Sequence, residues 1–120
     1  MTFTEPEMTT QDQLKELVLS TIEEVKGEDI ATLDVSKESA FTDYMIIATV
    51  HSARQANALR EKLLDRLKTE KATILGVEGS QSSWTLIDCG EIIIHLMEPE
   101  ARAYYNLEDL WDTSFTEEVH

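Results

Sequence analysis

The chain has 120 residues and a mass of 13.6 kDa, the size of one domain with a core that needs no staples. Its 42% hydrophobic and 28% charged content excludes a disordered or fibrous chain. The single cysteine, Cys89, excludes an intrachain disulfide, and ten bases against twenty-four acids leave a net charge of −14.

In chain order, Thr9 or Thr10 can cap a helix whose apolar positions Leu14, Leu17, Val18, Ile22 and Val25 recur at helical spacing, and Gly27 ends it. Asp29–Val35 reads as a strand and Lys37–Asp43 as a polar connection. Tyr44–Val50 is apolar nearly throughout, as a strand covered on both faces is. Ser52 caps a second helix with Ala56, Leu59, Leu63 and Leu67 on one face. A third strand is expected over Ala72–Glu78. The strand–helix–strand order predicts a crossover unit with parallel strands and a right-handed connection. A loop over Gly79–Ser83 precedes the strands Trp84–Asp88 and Glu91–Met97. Pro99 opens a last short helix reaching about Leu110. These elements predict a single α/β domain with a mixed five-stranded sheet and helices packed mainly on one face. Residues 1–9 are expected to be a flexible N-terminus, residues 10–111 the domain, and residues 112–120 an acidic flexible tail.

The hairpin carries the most information. With Cys89–Gly90 as a two-residue turn, Asp88 faces Glu91, Leu86 faces Ile93 and Trp84 faces His95. One sheet face then carries Thr85, Ile87, Cys89, Ile92, Ile94 and Leu96 and is core. The other carries Trp84, Leu86, Asp88, Glu91, Ile93, His95 and Met97. An aromatic anchor with aliphatic neighbours and an acidic rim is the composition of a protein-binding patch. The other reading is that a helix covers this face and Trp84 is ordinary packing.

Charge is unevenly distributed. Six of the ten bases lie between Arg54 and Lys71, whereas Val77–Glu118 holds ten acids and one base, Arg102. The acidic half repels phosphate backbones and suits a basic protein, although acids also serve solubility alone. No catalytic set is complete. Cys89 and His95 fall on opposite sheet faces and cannot share a proton, so Cys89 reads as core filler. Asp34, Asp43 and Asp88 lack the spacing of a metal site and sit where turns are expected. Gly76–Gly79 (GVEG) lacks either phosphate-loop pattern. The helix start at Ser52 is a generic anion site and weak evidence, and the basic helix face reads as solvated surface before it reads as a secondary contact with RNA phosphate. The N-terminus has no signal-peptide pattern and no stretch approaches the roughly 20 apolar residues of a membrane span. A cytoplasmic protein is expected, with no membrane association, no sequence-specific nucleic-acid binding, no metal and no cofactor.

Taken in order, DIATLDV, FTDYMIIAT, SARQ, GVEG, WTLIDCGEIIIHLM and PEARAYYNLEDLW resemble the ribosomal silencing factor family, also called Iojap-related, from about Leu14 to Trp111. The resemblance implies a nucleotidyltransferase-like topology without its catalytic carboxylates. It also implies a translational repressor that binds the large ribosomal subunit through ribosomal protein uL14, blocks joining of the small subunit when nutrients are short, and self-associates as a dimer. Trp84, Asp88, Glu91 and His95 match the family's motif positions. Val50 stands where the family pattern has glycine, which argues against a nucleotide pocket there. The rival expectations are a large-subunit assembly factor and a nucleotidyltransferase-type enzyme.

Overall fold

The structure is a computed structural model describing residues 10–37, 39–40, 42–79 and 83–110. The expected mobile ends, the capping role of Thr9 and the middle of the Gly79–Ser83 loop lie outside those residues. The elements run α1 (Thr10–Glu24), β1 (Glu28–Asp34), β2 (Tyr44–Thr49), α2 (Ala53–Thr69), β3 (Gly76–Glu78), β4 (Trp84–Asp88), β5 (Ile92–Met97), α3 (Pro99–Tyr105) and α4 (Leu107–Leu110).

One mixed five-stranded sheet has the order β1-β2-β5-β4-β3. Only the central β2–β5 pair is parallel; every other neighbouring pair is antiparallel. β2 and β5 are the most apolar strands and are buried along nearly their whole length. The expected crossover is thus corrected in one respect. β3 runs in the same direction as β2, but the connection passes over β5 and β4, and β3 becomes an edge strand paired antiparallel to β4. β3 is also shorter than expected, starting at Gly76 rather than Ala72. Two buried strands take the centre, and a short, half-exposed strand takes the edge.

Helices α1 and α2 cover one face. Val18, Ile22, Ala56, Leu59, Leu63 and Leu67 pack there against Ile46, Ala48, Ile87, Ile92, Ile94 and Leu96. Ser52 caps α2 by accepting a hydrogen bond from the Gln55 backbone N–H at 3.0 Å. A smaller cluster on the other face joins Leu33, Val35, Met45, Ile47 and Met97 to Ala101 of α3 and Leu107 of α4. The last helix is therefore not continuous. Asn106 adopts the left-handed conformation (φ 47°) and divides it, so α3 and α4 bend over the end of the sheet.

Arg102 fastens this second layer. It donates to Glu108 at 2.7 Å, to the Thr49 hydroxyl at 2.9 Å and to the Asp29 carbonyl, tying α3 to α4, β2 and β1.

Gly27 closes the turn that follows α1, as expected. Lys26, not Gly27, takes the positive φ (66°), with Lys26 N donating to Glu23 O and Gly27 N to Ile22 O. Glycine is needed because a Cβ at position 27 would lie 2.5 Å from the Ile22 Cγ2 methyl, which is fully buried. Gly76, by contrast, has nothing within 4 Å of its would-be Cβ. Gly27→Ala should therefore cost about 1–3 kcal/mol through overpacking, whereas Gly76→Ala should stay within about 0.5 kcal/mol. Urea unfolding of both variants distinguishes the two sites, and equal midpoints would refute the close-approach argument.

Candidate functional site

β4 and β5 form the hairpin that carries the site, in a register two residues from the expected one. Trp84 pairs with Met97, Leu86 with His95, and Asp88 with Ile93. The turn residues are Gly90 and Glu91, closed by a 2.9 Å bond from Cys89 N to Ile92 O. Two local features fix this choice: Gly90 has φ 81°, and the Asp88 carboxylate accepts from Gly90 N at 2.8 Å. A two-residue slip preserves the alternation of faces. Thr85, Ile87, Cys89, Ile92, Ile94 and Leu96 are accordingly all buried on the helix-covered side.

On the other side the seven candidate residues part company. Trp84, Leu86, Asp88 and Ile93 are half-buried and form a continuous patch. His95 and Met97 share that face but lie beneath it, with 3% and 0% of their surface exposed. Met97 belongs to the cluster under α3 and α4. Glu91 leaves the patch because it sits in the turn. It lines a separate cleft of about 740 Å³ with Leu14, Leu17, Ala72, Leu75 and Cys89. The helix pair α3–α4 thus covers one end of this face, and the part around Trp84, Leu86, Asp88 and Ile93 stays open.

Trp84 is held from below and from the side. Its indole N–H donates to His95 Nδ1 at 3.0 Å, and the two rings stand 5.7 Å apart. That bond places the imidazole proton on Nε2. Nε2 is itself buried and has no hydrogen-bond partner among the described residues. Burial pushes the His95 pKa down from 6.5 to about 4, so the ring is neutral at physiological pH. Tyr105 of α3 packs against Trp84 at 4.6 Å, and Tyr104 stands edge-on to Tyr105 at 5.0 Å.

Sequence reasoning missed these tyrosines, which are 82% (Tyr104) and 49% (Tyr105) exposed. Two adjacent exposed aromatics in a short helix are the signal that could have found them. A hollow of about 410 Å³ beside the patch is lined by Glu78, Gly79, Ser83, Trp84, Leu86 and Tyr105.

The candidate catalytic and metal-binding groups each have a separate environment. Cys89 is buried, and its thiol is pushed up to about 11 by desolvation and the neighbouring Asp88 charge. Asp34 accepts from the Ser36 backbone N–H and hydroxyl, which lowers its pKa. Asp43 accepts from Gln11. Among the described residues no cluster of metal-ligating side chains occurs, and no helix is long and apolar enough to cross a membrane.

Residues 7–120 match the family model described as ribosomal silencing factor during starvation. A Zymomonas mobilis ribosomal silencing factor is 40% identical over 101 residues, covering 83% of this chain and 76% of its own. The crystal structure of a Chromobacterium violaceum protein, 39% identical, superposes with a TM-score of 0.82 and covers 88% of each chain. A mouse protein named for mitochondrial assembly of the ribosomal large subunit is 32% identical over 100 residues, covering 80% of this chain and 44% of its own. The chain belongs to the ribosomal silencing factor family.

Because the folded-state pKa of His95 lies below its ordinary value, the unfolded chain takes up the proton first as pH falls. The contribution of neutral His95 to stability is complete above about pH 6.5 and is lost down to about pH 4. Lowering the pH from about 7 to about 5 should therefore remove on the order of 2 kcal/mol more stability from the natural chain than from His95→Asn. Parallel pH–stability curves for the two, measured by urea unfolding, would show that His95 is not held neutral.

Proposed function

We propose that this chain is a non-enzymatic translational repressor acting in the cytoplasm. It docks on the large ribosomal subunit through the open sheet face around Trp84, engages the basic ribosomal protein uL14, and sterically blocks joining of the small subunit. The observation that carries this reading is the patch itself. Trp84, Leu86, Asp88 and Ile93 stay half-exposed in the most acidic part of the chain, although α3 and α4 cover the rest of the same face.

In this reading Trp84 is the anchor, Leu86 and Ile93 its apolar surround, and Asp88 an acidic group at the rim. His95 and Met97 act from beneath, one orienting the indole and the other packing under it. Glu91 lies too far round the turn to share the patch and takes no part in this contact. The non-enzymatic reading is supported by the separation of the carboxylates: Asp34, Asp43 and Asp88 each accept a hydrogen bond from a different partner, Ser36, Gln11 and Gly90.

A second reading, assembly of the large subunit, is favoured by the name of the mouse relative. It uses the same docking face and differs in timing. Deletion that leaves immature large-subunit particles supports assembly; deletion that changes only subunit joining under starvation supports repression.

Loss of a central aromatic anchor costs about 2 kcal/mol or more, well over tenfold in affinity. Trp84→Ala and Leu86→Glu should therefore abolish co-sedimentation with purified large subunits, with circular dichroism showing that both variants remain folded. Normal co-sedimentation of both removes the docking face. In a sucrose-gradient assay, excess purified chain should keep subunits apart; full joining would sink the repressor reading.

A further inference from the structure

We propose that the hollow beside Trp84 receives an arginine side chain from the docking partner, its guanidinium lying against Trp84 and Tyr105 with its charge met by Glu78. This rests on the docking reading for the identity of the partner, but the hollow is a property of this chain alone.

The lining determines what fits. Trp84 and Tyr105 form adjoining aromatic walls, their ring centroids 4.6 Å apart and their planes at 49°. Leu86 is an apolar floor, and Glu78 is paired directly across from it in the β3–β4 ladder. Opposed residues of such a pair share a face with Cβ atoms roughly 5 Å apart, so the carboxylate stands beside the floor and within reach of the aromatic walls.

An anion is repelled here. A purely apolar side chain would strip water from Glu78 without replacing it. A cation suits both the carboxylate and the ring faces. Of the two cationic side chains, arginine fits better. Its plane stacks on aromatic rings, it is weakly hydrated, and it can meet a carboxylate with two N–H donors while its stem lies on Leu86.

Among the described residues no base lines the hollow. Arg102 is the only base between Val77 and Glu118, and its donors are already given to Glu108, Thr49 and the Asp29 carbonyl. The bases of α2 belong to the helix layer on the opposite face of the sheet. Tyr104, edge-on to Tyr105 at 86°, extends the aromatic surface past the rim of the hollow.

The test uses the full chain labelled with ¹⁵N and follows the indole N–H resonance that disappears in Trp84→Phe. Three probes are titrated at fixed ionic strength: the acetyl methylamides of arginine, lysine and citrulline. Citrulline keeps the shape of arginine without its charge. Arginine should shift the Trp84 resonance saturably, lysine should do so more weakly, and citrulline should leave it in place. Glu78→Gln should weaken the arginine response roughly twofold to fivefold, the range an exposed ion pair supplies. Tyr105→Leu should weaken it further.

A citrulline response equal to that of arginine overturns the cation assignment. A lysine response equal to that of arginine overturns the preference for guanidinium. An unchanged titration in Glu78→Gln removes Glu78 from the site. Failure here is separable from failure of the docking reading. If arginine binds while Trp84→Ala still co-sediments with large subunits, the hollow stands and the docking face falls. If arginine does not bind while Trp84→Ala loses the subunit, the reverse holds.

Discussion

The rest of the structure depends on where β5 sits. Its backbone pairs with β2 on one side and β4 on the other, so among the described strands it is the one that joins the two antiparallel ribbons β1–β2 and β3–β4 into one sheet. Ile92, Ile94 and Leu96 point into the helix-covered core, while His95 and Met97 point the other way and are buried as well. A strand buried on both faces must find cover on the second face too, and α3 follows it directly in the chain to supply that cover. Pro99 starts α3 two residues after β5 ends, leaving no slack for the chain to reach elsewhere. The cover is short, because Asn106 bends the chain after two turns, and the open patch around Trp84 is what α3 and α4 do not reach.

Much of this was legible because it rests on period and parity. Helical spacing identified the buried positions Ala56, Leu59, Leu63 and Leu67, and Ser52 announced the start of α2 through its side-chain chemistry. Apart from Glu91, which the turn takes off the outer face, the two faces of the hairpin were read correctly although its register was not, because a shift of two residues moves partners without turning a side chain over. What the alternating pattern cannot convey is which residue of a Cys-Gly-Glu run occupies the turn. Here the Asp88 carboxylate bonding to Gly90 N decided it, a contact between residues that are both turn formers. The position of β3 was illegible for a different reason. A crossover helix fixes the direction of the next strand but not how many strands it passes, and that depends on β5, which comes later in the chain.

The site was half legible for the same cause. Alternation placed Trp84, Leu86, Asp88, Glu91, Ile93, His95 and Met97 on one face, yet Glu91 turns into a separate cleft and exposure of the others varies from half-open to nothing. The difference is set by α3 and α4, whose apolar contacts Ala101 and Leu107 are too few to show a period. The same shortness hid Tyr104 and Tyr105. In a seven-residue helix no periodicity separates an inward aromatic from an outward one. Gly27 makes the parallel point for backbone. Gly27 supplies an absence of volume rather than a positive φ, and Lys26 takes the turn.

The charge distribution takes on a definite geometry once the faces are known. On the helix layer, Lys62 and Arg66 of α2 both bond to Glu24 of α1, at 2.9 and 2.8 Å, so part of that positive charge is spent joining the two helices. On the other layer the one base of the acidic half, Arg102, is used up in fastening α3 and α4. Each layer therefore consumes cations internally. The second layer has none to spare in its own stretch of sequence, and among the described residues neither Glu78 nor Asp88 takes part in an ion pair. An aromatic surface with surplus carboxylates attracts a basic partner at a distance and rejects phosphate, which gives orientation before any contact forms.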